Sequence, residues 1–416
     1  MRIQYLKHPI DPVMRRGTAL DLPAPLHDTA IRPGRRGDRM AKIDAFFRLM
    51  HAQNASDLHM SSGCAPCLRI QGDLEPVKFK ELDTDELLAM LAEVAPANKL
   101  QQFEQTGDVD FAYELGGIGR FRANYFRQAN GVSAVFRQIP TRIMTIEQLG
   151  LPPVTRRFAL MEKGLVLVTG PTGSGKSTTL AAIIDYCNKN RRDHIVTIED
   201  PIEFKHSRIN CIVNHREVGL HTRSFATALR GALREDPDII LVGEMRDLET
   251  ISLALEAAST GHLVFATLHT QSAMKTIDRI IDAFPTNAQE QVRATLADTL
   301  KGVISQTLFK RLDSRGQVAA LEVLVGTPAC ANLIREAKTH QLVSVIQTGR
   351  KQGMQTLDDA IEALLAKRLI SADEAFEKSI QKERFVPFLK TIPAEYQDLL
   401  GAVAQGAPVR PLEARR

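Results

Sequence analysis

Residues 170–177 read Gly-Pro-Thr-Gly-Ser-Gly-Lys-Ser, a complete G-x-x-x-x-G-K-[ST] phosphate-binding loop. An apolar run at 165–168 precedes the loop, and a helical pattern over 178–189 follows it. In this strand–loop–helix context, successive backbone N–H groups point at phosphate oxygens, and the helix N-terminus adds partial positive charge. The sequence therefore predicts a site for a nucleoside triphosphate.

The residues of this loop have separate expected roles. Gly173 and Gly175 let the backbone curl around the phosphates, and Lys176 is long enough to reach the β- and γ-phosphates. The Ser177 hydroxyl is expected to hold Mg²⁺, so ATP and Mg²⁺ are the expected cofactors. The predicted nucleotide-binding residues are Gly170, Pro171, Thr172, Gly173, Ser174, Gly175, Lys176, Ser177 and Thr178.

Composition limits the classes of protein to consider. The chain has 416 residues, enough for two or three domains, and 44% of them are hydrophobic. A net charge of +4 is too small to argue for nucleic-acid binding by itself. No apolar run approaches the ~20 residues of a membrane span. We expect a cytoplasmic enzyme that reaches a membrane only through a partner.

The five cysteines are scattered and odd in number, which favours a reducing compartment over a disulfide framework. Cys64 and Cys67 form a C-x-x-C pair, but zinc sites need four ligands and no second pair follows. The pattern therefore favours two small buried cysteines near a turn over a zinc site.

The chain divides into segments of different pattern. Residues 1–39 are predicted to be a disordered extension, 40–139 a mixed α/β domain and 140–153 a linker. Strands and helices alternate over 154–330, which predicts an α/β fold with a parallel sheet. Residues 331–400 are predicted to be helical, with a capping box at Ser371 and Glu374, and 401–416 a frayed tail. Asn130-Gly131 is a hairpin turn signal between two alternating strands.

Charged and imidazole side chains follow the predicted strands of the second domain. Glu199 and Glu244 come after the strands at 194–198 and 239–242, and ligands gather at the carboxyl ends of parallel strands. Most such acids are solvated loop residues, but a pair beside a phosphate loop favours a catalytic base and a Mg²⁺ ligand. His262 and His269 bracket the next strand; one could sense the γ-phosphate, and a structural role is equally open.

Several of these segments together resemble the secretion ATPase superfamily, and within it most closely the type IV pilus retraction ATPases. The similar segments are Ala55-Ser56-Asp57-Leu58-His59, 170–178, Thr197-Ile198-Glu199-Asp200-Pro201-Ile202-Glu203-Phe204, 235–247 and 260–270. The resemblance runs from about residue 41 to residue 385, with the motifs in the family's order.

The resemblance implies a PAS-like α/β N-terminal domain, a RecA-like P-loop domain and C-terminal helices. It implies a homo-hexamer that binds ATP between the two domains and drives pilus disassembly, and hence twitching motility, through an inner-membrane platform protein. Glu199 matches the catalytic base, Glu244 the atypical Walker B glutamate near Mg²⁺, and His262 and His269 the family's histidine motif.

The resemblance also gives a role to two arginines of the predicted hairpin. Arg122 and Arg137 match family arginines that reach toward the phosphates, where they would stabilise the charge of the transition state. Without the resemblance, arginines on a polar strand face are simply solvent-facing.

Other functions stay open at this point. Ala331 replaces the first arginine of a family segment near the end of the RecA-like domain, which leaves room for an accessory retraction ATPase. A pilus assembly or type II secretion ATPase would carry a four-cysteine zinc insert, which this sequence lacks. A nucleic-acid motor would need stacking aromatics, yet aromatics are 5% and tryptophan is absent. A regulatory partner would not need Lys176 together with two site acids.

Overall fold

The computed structural model describes residues 41–70, 72–139, 142–314, 316–393 and 396. These residues fall into two compact units that divide between residues 141 and 142. The predictions for residues 1–39 and for 401–416 lie outside the described residues. None of the helices in the described part of the chain is long and apolar enough to cross a membrane.

The first unit is an antiparallel sheet with helices, as the mixed α/β pattern predicts. The strands lie in the order β3-β2-β1-β6-β5-β4. The elements are α1 (Asp44–Ala52), β1 (Asp57–Ser61), β2 (Cys67–Ile70), β3 (Asp73–Pro76), α2 (Thr84–Ala92), α3 (Ala97–Thr106), β4 (Asp108–Leu115), β5 (Gly119–Gln128) and β6 (Gly131–Ile139).

Aromatic side chains from one face of this sheet form the core of the first unit. Phe121 and Tyr125 alternate with polar residues along β5 and are fully buried. Phe47 of α1 stacks on Phe121 with ring centroids 4.3 Å apart. The opposite face of β5 is left for polar side chains, which include Arg122.

The hairpin between β5 and β6 differs by one residue from the sequence prediction. Gln128 pairs with Gly131, so the two-residue turn is Ala129–Asn130 and not Asn130–Gly131. Gly131 opens β6 with φ +125°, and a Cβ there would lie 2.6 Å from Thr84 Oγ1 and 2.8 Å from Ser62 Oγ. The glycine is therefore needed for a close approach as well as for its backbone angle.

The second unit is built on a mostly parallel sheet with strand order β13-β12-β7-β11-β10-β8-β9. Only the pairing of β12 with β13 is antiparallel among the pairs of this sheet in the described residues. The elements are α4 (Val154–Ala159), β7 (Gly164–Thr169), α5 (Lys176–Asn190), β8 (His194–Glu199), β9 (Ile212–Glu217), α6 (Phe225–Ala232), β10 (Ile239–Val242), α7 (Leu248–Thr260), β11 (Leu263–Leu268), α8 (Ala273–Asp282), α9 (Gln289–Thr299), β12 (Leu300–Lys310), β13 (Gln317–Val325), α10 (Pro328–Arg335), α11 (Leu342–Thr348), α12 (Leu357–Ala366) and α13 (Ala372–Lys378).

The strands at the centre of this sheet are buried along their whole length. β7, β10 and β11 are continuous apolar runs, which is typical of parallel strands covered on both faces. Their parallel register brings the carboxyl ends of β7, β8, β10 and β11 to one edge of the sheet. The predicted α/β class and parallel sheet are confirmed.

The C-terminal helices pack on the far end of the sheet. Ile361 of α12 and Phe385 join Phe309 of β12 in a small separate core. Ser371 caps α13 by accepting a hydrogen bond from the Glu374 N–H at 3.1 Å, as predicted. The Glu374 side chain does not return the bond, because its carboxylate accepts from the Lys310 N–H at 2.9 Å.

Candidate active site

The phosphate loop joins β7 to α5 and depends on glycine at its turns. Gly170, Gly173 and Gly175 have φ of +143°, +78° and +84°, values that residues with a side chain rarely adopt. A Cβ on Gly170 would lie 2.4 Å from the backbone oxygen of Gln306, and one on Gly175 would lie 2.8 Å from the Nε2 of Gln306. The loop backbone thus follows the tight path that cradles phosphate.

Gln306 on β12 connects that strand to the phosphate loop through side-chain hydrogen bonds. Its Nε2 donates to the Ser174 carbonyl at 2.5 Å, and its Oε1 accepts from Thr179 Oγ1 at 2.7 Å. Gln306 is only 4% exposed. Gln306 could not be predicted from the sequence, because no motif links β12 to the loop and only the tertiary fold makes them neighbours.

Lys176 and Ser177 begin α5 directly after the loop. Lys176 Nζ donates to the carbonyl oxygens of Gly170 and Pro171 at 2.9 and 3.1 Å, so the ammonium lies within the turn of the loop. Burial lowers the pKa of Lys176, while the nearby Glu244 and Glu203 carboxylates act to raise it. Because burial is the larger effect, a bound polyanion would further stabilise this half-buried ammonium.

Ser177 and Glu199 line the same small cavity, of about 30 Å³, at the carboxyl edge of the sheet. Thr197 Oγ1 donates to Glu199 Oε1 at 2.8 Å, and the Glu203 N–H donates to Glu199 Oε2 at 3.2 Å. Gly243 leaves room for the backbone of Glu199, because a Cβ on Gly243 would lie 3.3 Å from the Cα of Glu199. Glu199 and the loop residue Ser177 therefore line one cavity, while the catalytic role of Glu199 stays a prediction.

Glu244 follows β10 and contacts two cationic or imidazole side chains. Arg246 contributes an N–H group 2.6 Å from Glu244 Oε2, and His269 Nε2 lies 2.7 Å from Glu244 Oε1. Burial alone would raise the pKa of Glu244, but the hydrogen bond from Arg246 and the charges of His269 and Arg246 hold it below its usual value. Glu244 therefore stays ionised, and an ionised carboxylate is suited to bind a metal cation.

The two histidines predicted for the site lie at opposite ends of β11. His269 follows the carboxyl end and reaches Glu244, whereas His262 precedes the amino end. His262 Nδ1 lies 3.0 Å from the Ala257 carbonyl oxygen, and the His262 backbone oxygen accepts from the Gly164 N–H at 2.9 Å. Gly164 starts the strand that ends at the loop, so His262 lies roughly 20 Å from the phosphate loop along that strand. Within this chain the structure does not bring His262 to the site.

Arg122 and Arg137 belong to the first unit and pair directly across β5 and β6. Arg137 Nε donates to the buried Asp57 at 2.8 Å while 70% of its own side chain is exposed. Arg122 Nε lies 3.6 Å from the exposed Asp110. Their predicted action on a nucleotide stays a prediction.

The C-x-x-C pair lies in the first unit, at the start of β2. Cys67 is half-buried, and burial followed by the proximity of Cys64 raises its pKa. Cys64 is exposed, so the prediction that both cysteines are buried is wrong for that residue, which lies in the turn before the strand. Within the described residues, no cluster of three or more His, Cys, Asp or Glu side chains has the arrangement of a metal site.

Comparison with known proteins gives one consistent result. Residues 40–384 match the family model described as Type II/IV secretion system protein. PilT of Pseudomonas aeruginosa, a type IV pilus retraction ATPase, is 53% identical over 333 residues, which cover 80% of this chain and 96% of that protein. PilU, a type IV pilus ATPase of the same organism, is 38% identical over 365 residues, which cover 88% of this chain and 96% of that protein.

Solved structures agree with the sequence comparison. The crystal structure of the pilus retraction motor PilT with bound ADP superposes with a TM-score of 0.77 at 46% identity, covering 82% of this chain and 98% of that chain. The resemblance predicted from the motifs is therefore confirmed. The chain belongs to the type II/IV secretion system protein family, and its phosphate loop, Glu199 and Glu244 lie within the matched region.

Proposed function

We propose that this chain hydrolyses ATP and uses the energy to drive disassembly of a type IV pilus, and so twitching motility. The observation that supports the hydrolysis is that Ser177 of the phosphate loop and Glu199 line the same cavity. The observation that carries the pilus role is the 53% identity to a retraction ATPase across 96% of that protein's length.

The residues divide the work of hydrolysis. Backbone N–H groups of the loop and the Lys176 ammonium bind the phosphates and stabilise the charge that builds up as the γ-phosphoryl group leaves. Glu199 accepts a proton from the attacking water. Two hydrogen bonds fix its carboxylate, so that it can also orient this water. His269 and Arg246 hold the Glu244 carboxylate in place.

The donors present fit Mg²⁺ shared with a nucleotide. The Ser177 hydroxyl and the ionised Glu244 are hard oxygen ligands, and Mg²⁺ is commonly held by one or two such groups together with phosphate oxygens. When bound, the ion neutralises phosphate charge.

We propose further that the chain acts as a homo-hexamer against an inner-membrane platform protein, from the cytoplasmic side. In the assembled ring, Arg122 and Arg137 reach the phosphates of a bound nucleotide. The Arg122 and Arg137 side chains are 49% and 70% exposed and are paired in register, which suits a pair of cationic groups offered to a ligand.

The identity values favour retraction, because the chain is 53% identical to PilT, named as a retraction ATPase, and 38% identical to PilU, named only as a type IV pilus ATPase. The one departure is Ala331 on α10, which packs half-buried against the main core. Arg335, from the retained half of the same segment, pairs with Asp298. The accessory role remains the alternative on this observation.

Glu199→Gln is the test of this function. The amide cannot accept a proton, so we expect turnover to fall by about 10²–10⁴-fold while ATP still binds. Glu249→Gln on α7, an exposed glutamate paired with Arg230, is the matched control and should turn over normally. Unchanged turnover in Glu199→Gln would place the base elsewhere.

The same variant separates retraction from assembly in cells. Cells that lack the gene, or carry only Glu199→Gln, should be hyperpiliated and non-motile if the chain drives disassembly. Bald cells would instead identify an assembly ATPase. Normal pilus number together with normal twitching would contradict both roles.

A further inference from the structure

A chain of hydrogen bonds runs from the strand next to the active site to Glu199. Thr197 lies two residues before Glu199 on β8, so both side chains lie on the same face of the strand. The parallel register of β8 and β9 pairs Thr197 with His215. Thr197 Oγ1 lies 2.8 Å from Glu199 Oε1 and 2.8 Å from His215 Nδ1.

The direction of each hydrogen bond follows from the chemistry of the partners. An ionised carboxylate only accepts, so the single hydroxyl proton of Thr197 goes to Glu199. The contact of Thr197 Oγ1 with His215 then needs the imidazole to donate from Nδ1. At the other side of the ring, the His206 backbone N–H donates to His215 Nε2 at 3.1 Å, so Nε2 accepts.

These three bonds are compatible only with a neutral His215 that carries its proton on Nδ1. A second imidazole lies next to this ring, since His206 stacks on His215 with ring centroids 5.8 Å apart. Burial lowers the pKa of His206 to about 3, so this neighbour is uncharged at ordinary pH.

The hydrogen-bond chain is well placed to fix a side chain. Thr197 is 1% exposed and the His215 side chain 15% exposed, so water competes little for these bonds. The remaining oxygen of Glu199 accepts from the Glu203 N–H. A base displaced by about 1 Å from the attacking water can lose about 10²-fold in rate, so an oriented carboxylate has catalytic value.

We propose that Thr197 and His215 are positioning residues for Glu199. His215, fixed as the Nδ1–H tautomer, orients the Thr197 hydroxyl, and that hydroxyl holds Glu199 Oε1 where the carboxylate meets the attacking water. The inference rests on the proposed role of Glu199 as the base.

Thr197 variants test the hydroxyl. Thr197→Val keeps the shape and removes the hydroxyl, so kcat should fall about 10–100-fold while KM and ATP binding stay within about twofold. Thr197→Ser keeps the hydroxyl and should stay within about threefold of the unmodified protein. A purely structural role for Thr197 would lower the thermal midpoint without this selective loss of kcat.

His215 variants test the tautomer. The Gln side chain offers a donor group and an acceptor group, as neutral imidazole does, and it does not titrate. His215→Gln should therefore retain most of kcat, while His215→Leu should lose about as much as Thr197→Val. This pair also decides the matter if Thr197→Val fails to fold.

Three outcomes would overturn the proposal: normal kcat in Thr197→Val, equal kcat in His215→Gln and His215→Leu, or an additional loss when Thr197→Val is combined with Glu199→Gln. The combined variant should be no slower than Glu199→Gln alone, because positioning residues act only through the base. Failure of the proposed function is distinct, since the unmodified chain would then not hydrolyse ATP or Glu199→Gln would still turn over.

Discussion

Gln306 connects the phosphate loop to β12 through two buried hydrogen bonds, and its removal should affect both stability and binding. Gln306→Leu leaves the Ser174 carbonyl and the Thr179 hydroxyl without their partner. We expect the free energy of unfolding to fall by about 2–4 kcal/mol, since an unsatisfied buried polar group costs about 1–3 kcal/mol. Urea unfolding measures this loss, and titration with an ATP analogue should show weaker binding.

The matched control is Gln355→Leu. Gln355 also donates from its side chain to a backbone carbonyl, that of Leu321 at 2.8 Å, but it lies after the core strands and not under the loop. This variant should lose stability and keep its affinity for nucleotide. If Gln306→Leu binds nucleotide as well as Gln355→Leu does, the hydrogen bonds of Gln306 have no role in shaping the loop.

Site residues that belong to local patterns could be predicted from the sequence. Lys176 and Ser177 follow from the loop motif, while Glu199 and Glu244 follow from the rule that strand ends meet at one edge. Gln306 and His215 could not be predicted, because each acts through a neighbour that only the sheet order supplies. His262 and His269 are close in the sequence pattern but not in space, since residues that bracket one strand lie at opposite edges of the sheet.

At the scale of elements, the phosphate loop contains two glycines whose replacement should have different costs. Gly170→Ala combines φ +143° with a Cβ 2.4 Å from the Gln306 backbone oxygen, which cannot move without displacing β12. Gly173→Ala has φ +78° and no other atom within 4 Å of the new Cβ. Gly173→Ala should therefore cost only the left-handed strain of about 1–2 kcal/mol, and Gly170→Ala distinctly more.

Unfolding of the two variants without nucleotide is the proper measurement, because phosphate would add its own steric demands on both positions. Thermal and urea unfolding should place Gly170→Ala below Gly173→Ala in stability. The reverse order would mean that β12 yields easily to the loop and that the close contact with Gln306 is not a constraint.

Elements themselves were predictable to different degrees. The buried strands β7, β8, β10 and β11 could be read from the sequence because continuous apolar runs between loops are typical of parallel strands. The β5–β6 turn lies one residue earlier than the Asn130-Gly131 signal predicts, because Gly131 pairs with Gln128 and so belongs to β6, where a Cβ would clash with Ser62 and Thr84. Side-chain contacts from α2 are not visible in a hairpin's own sequence.

At the scale of the whole molecule, the proposed ring makes the arginines of the first unit the decisive test. Arg122 is the cleaner target, because its partner Asp110 is exposed, whereas Arg137 neutralises the buried Asp57. Arg122→Ala should lower kcat of the assembled protein at least tenfold, since an arginine that stabilises phosphoryl transfer contributes about 10³–10⁵-fold. Arg127→Ala, on the same strand with its guanidinium over Phe103, is the control and should leave kcat near normal.

Mixing experiments then decide whether this arginine acts on its own subunit's nucleotide or on a neighbour's. A Lys176→Ala subunit has no working loop but carries an intact Arg122, while an Arg122→Ala subunit has the reverse. If the arginine acts across subunits, mixed rings contain sites with both groups intact, and their activity should exceed the sum of the two separate variants. If it acts within one subunit, no mixed site is complete, and the activity of the mixture stays at the weighted average of its components.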